Sequence, residues 1–230
     1  MTKRDNLKKE IYSTAAWSFY ENGYRNTTLR AIGNALGISH VAVLHHYSSK
    51  GEILVEVMKN YRSIILQKAL DIFNEKPELF PDKSLGVFSY HGLLIKNFAA
   101  DKKMARLFYD SRSIARDSMK PTVRQNFIDL NIRFGTFSFI EDNYLSLTTN
   151  ISNDLWLSII EAVLDQTITP EEATILFFKL LIMIKPENTS FDFEMYKDFW
   201  NKYLSTYEID PETIIKEVVD YKDVTDDLPW

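Results

Sequence analysis

An all-helical protein is what this sequence predicts, and three observations point to it. Apolar residues recur at three- and four-residue spacing along most of the 230 residues, only seven glycines are present, and the prolines stand where helices would begin or end. With 45% hydrophobic residues, the chain carries enough apolar surface for a continuous core.

Taken in order, Ile11, Ala15, Ala16, Phe19 and Tyr20 make one apolar stripe, so residues 4–21 read as an amphipathic helix closed by Asn22-Gly23. Thr27 and Thr28 offer an N-cap for a short helix over 29–36, with Ile32 and Leu36 facing inward. Gly37 supplies a left-handed corner. Ser39 caps a third helix over 40–46, and Ser48 or Ser49 caps a long fourth over 50–75. Prolines and polar clusters divide the remainder into helices near 83–99, 101–118, 121–141, 152–166, 170–185, 192–207 and 211–221, with 143–150 read as a loop. No repeat or low-complexity segment stands out.

Charge is segregated along the chain. The formal total is −5, but residues 1–50 carry +4 and the remaining 180 carry −9. No acid lies between Glu21 and Glu52. A basic head on an acidic body suits a protein that offers one face to phosphates.

Several classes are disfavoured. A chain without cysteine holds neither a disulfide framework nor a thiolate zinc site. The leading MTKRDNLKKE lacks the apolar stretch of a secretory signal, so a cytoplasmic location is expected. The longest apolar run, 175–184, is interrupted by Lys179 and falls short of the ~20 residues of a membrane span. No G-x-G-x-x-G, H-E-x-x-H, P-loop or nucleophile elbow is found, so neither catalysis nor a cofactor is expected. His40, His45 and His46 lack the spacing of helical metal ligands, and no metal is expected either.

Residues 35–50, ALGISHVAVLHHYSSK, read as the turn and second helix of a helix-turn-helix. On the third helix Val43 and Tyr47 point one way. Val41, Ala42 and His45 point the other, with His40, Leu44 and His46 on the flanks. The presented face fits a major groove about 12 Å wide, where apolar groups meet thymine methyls and the histidines reach base edges or phosphates.

The stretch GYRNTTLRAIGNALGISHVAVLHHYSSKGEIL makes the likeness specific: residues 10–55 resemble the DNA-binding region of the TetR (tetracycline repressor) family. The order is helix, Gly-Tyr, Thr-Thr, helix, Leu-Gly-Ile-Ser, helix, aromatic, Ser-Lys, helix. The resemblance implies a three-helix DNA-binding head over 1–50, a helical regulatory and dimerisation domain over 51–221, and an acidic tail over 222–230. It implies a DNA-interface set of Thr28, Ser39, His40, Val41, Ala42, Leu44, His45, His46 and Lys50. Within that set, Thr28, His46 and Lys50 hold phosphates and His40, Val41, Ala42, Leu44 and His45 face the bases. The chain departs from the family where Val41 replaces a small residue, Ala42 a threonine and Leu44 a tyrosine.

Two apolar helices late in the chain, over 170–185 and 192–207, resemble the family's dimerisation pair, with Phe177, Leu181, Phe199, Trp200 and Tyr203 as interface candidates. Between head and pair lies an aromatic-rich stretch that includes Phe137 and Phe139. In the family such a region encloses an effector pocket, which gives Phe88, His91, Phe98, Phe108, Phe134 and Trp156 as candidates. The function implied is a homodimeric transcriptional regulator, a repressor released from a palindromic DNA operator by a small hydrophobic effector. The alternative is an architectural or division-linked DNA-associated protein that answers to protein partners.

Overall fold

The computed structural model describes residues 3–114, 116–134, 142–183 and 192–220, and the described residues are helices joined by turns. The helices are α1 (Lys3–Asn22), α2 (Leu29–Ala35), α3 (His40–Leu44), α4 (Lys50–Glu75), α5 (Ser84–Ala100), α6 (Lys102–Ser113), α7 (Arg116–Arg133), α8 (Asp142–Leu164), α9 (Pro170–Met183), α10 (Phe193–Phe199) and α11 (Pro211–Val219). No described helix is long and apolar enough to cross a membrane. Most expected helix boundaries agree with these to within a few residues, but α6 ends at Ser113 rather than near 118, α7 ends at Arg133 rather than near 141, and three further places differ.

The run 143–150, expected to be a loop, belongs to the first part of α8. Thr and Asn cost only a few tenths of a kcal/mol each in a helix, and extending an existing helix fixes one residue per hydrogen bond gained, so α8 grows through them. Helix α7 begins earlier than expected and runs through Pro121. Helix α10 passes into a π-helical turn at Trp200–Leu204, where the Ser205 amide donates to the Trp200 carbonyl at 2.8 Å. The 222–230 tail, Phe137, Phe139 and residues 184–185 lie outside the described residues.

The chain forms two compact units. The first takes in residues 1–64, 106–118 and 210–230. Its core is the inward face of α1 (Ile11, Tyr12, Ala15, Ala16, Phe19), Ile32 of α2, Val43 of α3, Tyr47, the first half of α4, Leu107 and Phe108 of α6, and Ile214, Ile215 and Val218 of α11. The unit that holds residues 1–50 therefore also draws on two later parts of the chain.

The second unit takes in 65–105 and 119–209. Helix α5 is its axis, buried on nearly every side and packed against α8, α9, α10 and the π-turn. Lys96 of α5 donates to the carbonyls of Leu204, Ser205 and Tyr207, which satisfies acceptors at and just past the end of the π-turn.

Candidate nucleic-acid interface

The corner between α2 and α3 follows from local rules. Thr28 caps α2, its hydroxyl oxygen accepting from the Ala31 amide at 3.1 Å. Gly37 takes φ +67°, a conformation that favours glycine. The Ile38 amide then donates back to the Gly33 carbonyl at 2.9 Å. A Cβ on Gly33 would stand 2.8 Å from the Ile38 carbonyl oxygen, so only glycine lets the α2 backbone lie this close to the turn. Ser39 caps α3 by accepting from the Ala42 amide at 3.1 Å.

Helix α3 is shorter than the expected 40–46. The amides of His46 and Tyr47 both turn onto the Val43 carbonyl, at 3.0 and 3.1 Å, which tightens the last turn. The division of faces is the expected one. Val43 and Tyr47 are buried; Val41 and Leu44 are 49% and 41% exposed. His40 and His45 are exposed, and Ala42 and His46 half-buried. The outward face is thus apolar at its centre with imidazoles around it, suited to thymine methyls and to a few base-edge or phosphate hydrogen bonds.

The buried side is anchored in turn. The Tyr47 ring lies 5.2 Å from the Lys8 ammonium, and its hydroxyl faces Glu56. Burial, reinforced by the Glu56 carboxylate, holds the Tyr47 proton on well above the usual phenol range. Ser49 caps α4 by accepting from the Glu52 amide at 3.1 Å. The Glu52 carboxylate reaches back to accept from the Ser48 amide and hydroxyl, at 2.6 and 2.7 Å.

Lys50 does more than offer a charge. Its ammonium donates to the carbonyls of Tyr24 and Thr27, at 2.7 and 2.8 Å, and sits 4.1 Å above the Tyr24 ring. Burial lowers its pKa from the ordinary lysine value, with Asp110 opposing. Two of its three N–H groups are spent on the loop between α1 and α2. Asp110 of α6, whose side chain is 3% exposed, pairs with Arg25 of the same loop at 3.6 Å and with Arg106 at 3.7 Å. Tyr24 and Asp110 are neighbours of Lys50 that the sequence does not single out. The Gly-Tyr step was a signal for the first; nothing local marks the second.

In the second unit, Phe88, His91, Phe98, Phe134 and Trp156 are all buried in a packed aromatic core. His91 lies 4.8 Å from the Phe177 ring and 5.7 Å from that of Trp156; Trp156 and Phe177 are 4.4 Å apart. Phe108 does not join them. It belongs to the first unit, beneath the Arg112 guanidinium at 5.0 Å. A cavity of about 320 Å³ opens at one edge of the group, where Phe98, Val163, Leu164, Ile168 and Pro170 form apolar walls beside Lys102 and Gln166.

The dimer candidates are largely covered within the single chain. Phe177, Leu181, Phe199 and Trp200 are buried within their own unit, with Phe199 5.2 Å from Phe80 and 6.2 Å from Phe88, while Tyr203 is half-buried against Phe199. Their apolar stripe faces α5 rather than outward. The exposed apolar side chains of the neighbouring helices are Leu147 and Ile151 on α8 and Leu176 and Met183 on α9. Among the described residues no group of three or more His, Asp or Glu is placed to hold a metal ion.

Residues 11–57 match the family model of bacterial regulatory proteins, tetR family. The chain is 25% identical over 155 residues to the HTH-type transcriptional repressor KstR2 of Rhodococcus jostii, an alignment covering 67% of this chain and 64% of that protein. It is 33% identical over 63 residues to KstR2 of Mycobacterium tuberculosis, covering 27% and 32%. The chain thus spans less than two thirds of the length of these curated relatives. A solved structure of the fatty acid degradation regulator FadR from Bacillus halodurans aligns with 80% of this chain and 95% of its own at 15% identity and a TM-score of 0.44.

Proposed function

The chain belongs to the TetR family of bacterial transcriptional regulators, and from that premise we propose that it acts as a homodimeric repressor whose hold on a palindromic operator is released by a small hydrophobic effector. The observation that carries this reading is the outward face of α3. Val41 and Leu44 are kept in water by a helix whose other side is locked down through Val43 and Tyr47, in a stretch with no acid from residue 22 to 51. Thr28, Ser39, His46 and the remaining donor of Lys50 border this face and reach for phosphates, while His40, Val41, Ala42, Leu44 and His45 meet the bases.

Dimerisation is assigned to the exposed residues of α8 and α9, Leu147, Ile151, Leu176 and Met183, because adjacent helices with outward apolar side chains form a four-helix bundle with a symmetry mate. The effector is assigned to the cavity beside Phe98. Effector and DNA then oppose one another through a shared, reciprocal coupling free energy.

Selection of duplexes from a random library by the purified protein tests the reading. The expected product is a two-fold symmetric site with half-sites roughly 34–36 Å apart, bound with an affinity that falls steeply as salt rises. A selection that enriches no sequence would reject it.

A further inference from the structure

We infer that α11 is a working part of the DNA-reading head: docked on α1, it fixes the position from which α3 meets DNA. The inference rests on the DNA-binding reading above and adds to it a positioning device made of Tyr12, Ser13 and Asn60.

Helix α11 is built to dock. Asp210 caps it, accepting from the Glu212 amide at 3.1 Å and from the Thr213 hydroxyl, and Pro211 fixes its first turn. Its Ile214, Ile215 and Val218 are buried, and α1 is the helix it packs against. The last carbonyls of any helix lack an internal partner. Here α1 supplies two: the Tyr12 hydroxyl donates to the Val218 carbonyl at 2.8 Å, and the Ser13 hydroxyl to the Val219 carbonyl at 2.7 Å. Tyr12 also accepts from the Asn60 amide of α4 at 2.8 Å.

One buried phenol therefore ties three helices together. Tyr12 is 3% exposed and Asn60 6%. The Tyr12 hydroxyl donates to α11 only while α11 stays docked, and the same oxygen accepts from Asn60 of α4, so undocking takes a buried acceptor from the phenol, and such a loss is costly. The same α1 packs on α2, which carries the corner, and α2 packs on α3. Release of α11 would free two carbonyls, expose Ile214 and Val218, and remove one wall from α1, leaving the reading helix on a looser base. Tyr12, Ser13 and Asn60 touch no DNA in this account and act only through position.

The test uses the full chain, the duplex selected by the unaltered protein, and a random-sequence duplex of the same length. Two variants release α11 by different routes: Ile214→Lys, which puts a charge where 3% of the side chain is exposed, and the milder Tyr12→Phe/Ser13→Ala pair. Amide hydrogen exchange over 210–219 reports undocking, and all binding is measured well below each variant's thermal midpoint.

The expected result is affinity for the selected duplex lower by about ten-fold, in the range of ordinary coupling between sites, with random-duplex affinity held within about two-fold because phosphate contacts tolerate a small tilt of the reading helix. If Ile214→Lys unfolds the head, binding to both duplexes is lost, and the Tyr12→Phe/Ser13→Ala pair decides. A variant with fast exchange over 210–219 and unchanged affinity for the selected duplex overturns the inference. So does a drop for both duplexes equally in the folded pair variant, which would mark a merely structural role. Failure of the unaltered protein to select any duplex is a different result, and counts against the DNA-binding reading itself.

Discussion

Lys50 stands where a phosphate-gripping cation is expected, yet two of its donors hold the loop that precedes α2. Its removal should therefore cost stability as well as affinity. Lys50→Met leaves two carbonyls without donors, and the expected loss is about 1 kcal/mol or somewhat more, read as a lower thermal midpoint. Binding to selected and random duplexes should weaken together. Leu44→Ala should act differently, weakening the selected duplex about five-fold with the random duplex unaffected, since an apolar contact with a thymine methyl carries sequence information and no charge. Equal effects on both duplexes would contradict a base-facing Leu44. Tyr196 gives a test of the second unit. Burial pushes its pKa up to about 12, the Ser84 hydroxyl opposing and the Asp82 and Asp192 carboxylates adding to the rise. A folded pKa above the unfolded value of 10.0 means stability that is complete below pH 10 and is lost as pH rises toward 12. Denaturant midpoints across that window should fall for the unaltered chain and fall less for Tyr196→Phe.

Helices and their caps were the most legible level. Thr28, Ser39, Ser49 and Gly37 act on residues one to four positions away, so their roles can be read without knowing the fold. The start of α8 was not legible, because helix propagation depends on what already lies downstream. The aromatic stripe of α10 shows why periodicity is an incomplete guide. It states that Phe199 and Trp200 are buried and says nothing about what buries them, which proves to be α5 and its neighbours. The proposed partner surface is accordingly assigned to the exposed side chains of α8 and α9. Leu176→Lys with Met183→Lys is expected to give a folded monomer by sedimentation velocity, with affinity for a palindromic duplex sharply reduced, since both half-sites no longer act together. A persistent dimer would place the interface elsewhere.

At the scale of the whole molecule, the proposed effector site is the cavity beside Phe98. Filling it with Ile168→Trp should abolish the response to hydrophobic effectors while leaving DNA affinity in their absence unchanged; a retained response would argue for another site. The helical fold was legible in the sequence, but the membership of its two units was not. Asp110 and Tyr12 reach partners far along the chain, and no local pattern encodes such meetings. The seam between α1 and α11 also has a consequence for biosynthesis. Tyr12 waits for a carbonyl 206 residues downstream, so the core of this unit includes a contact of very long sequence separation. Contacts of that separation form late and slowly. A nascent or truncated chain that stops short of α11 carries every residue of the recognition corner and still lacks the wall that steadies it. On the proposed reading, the head reaches its rigid form only once α11 has been made and has docked on α1.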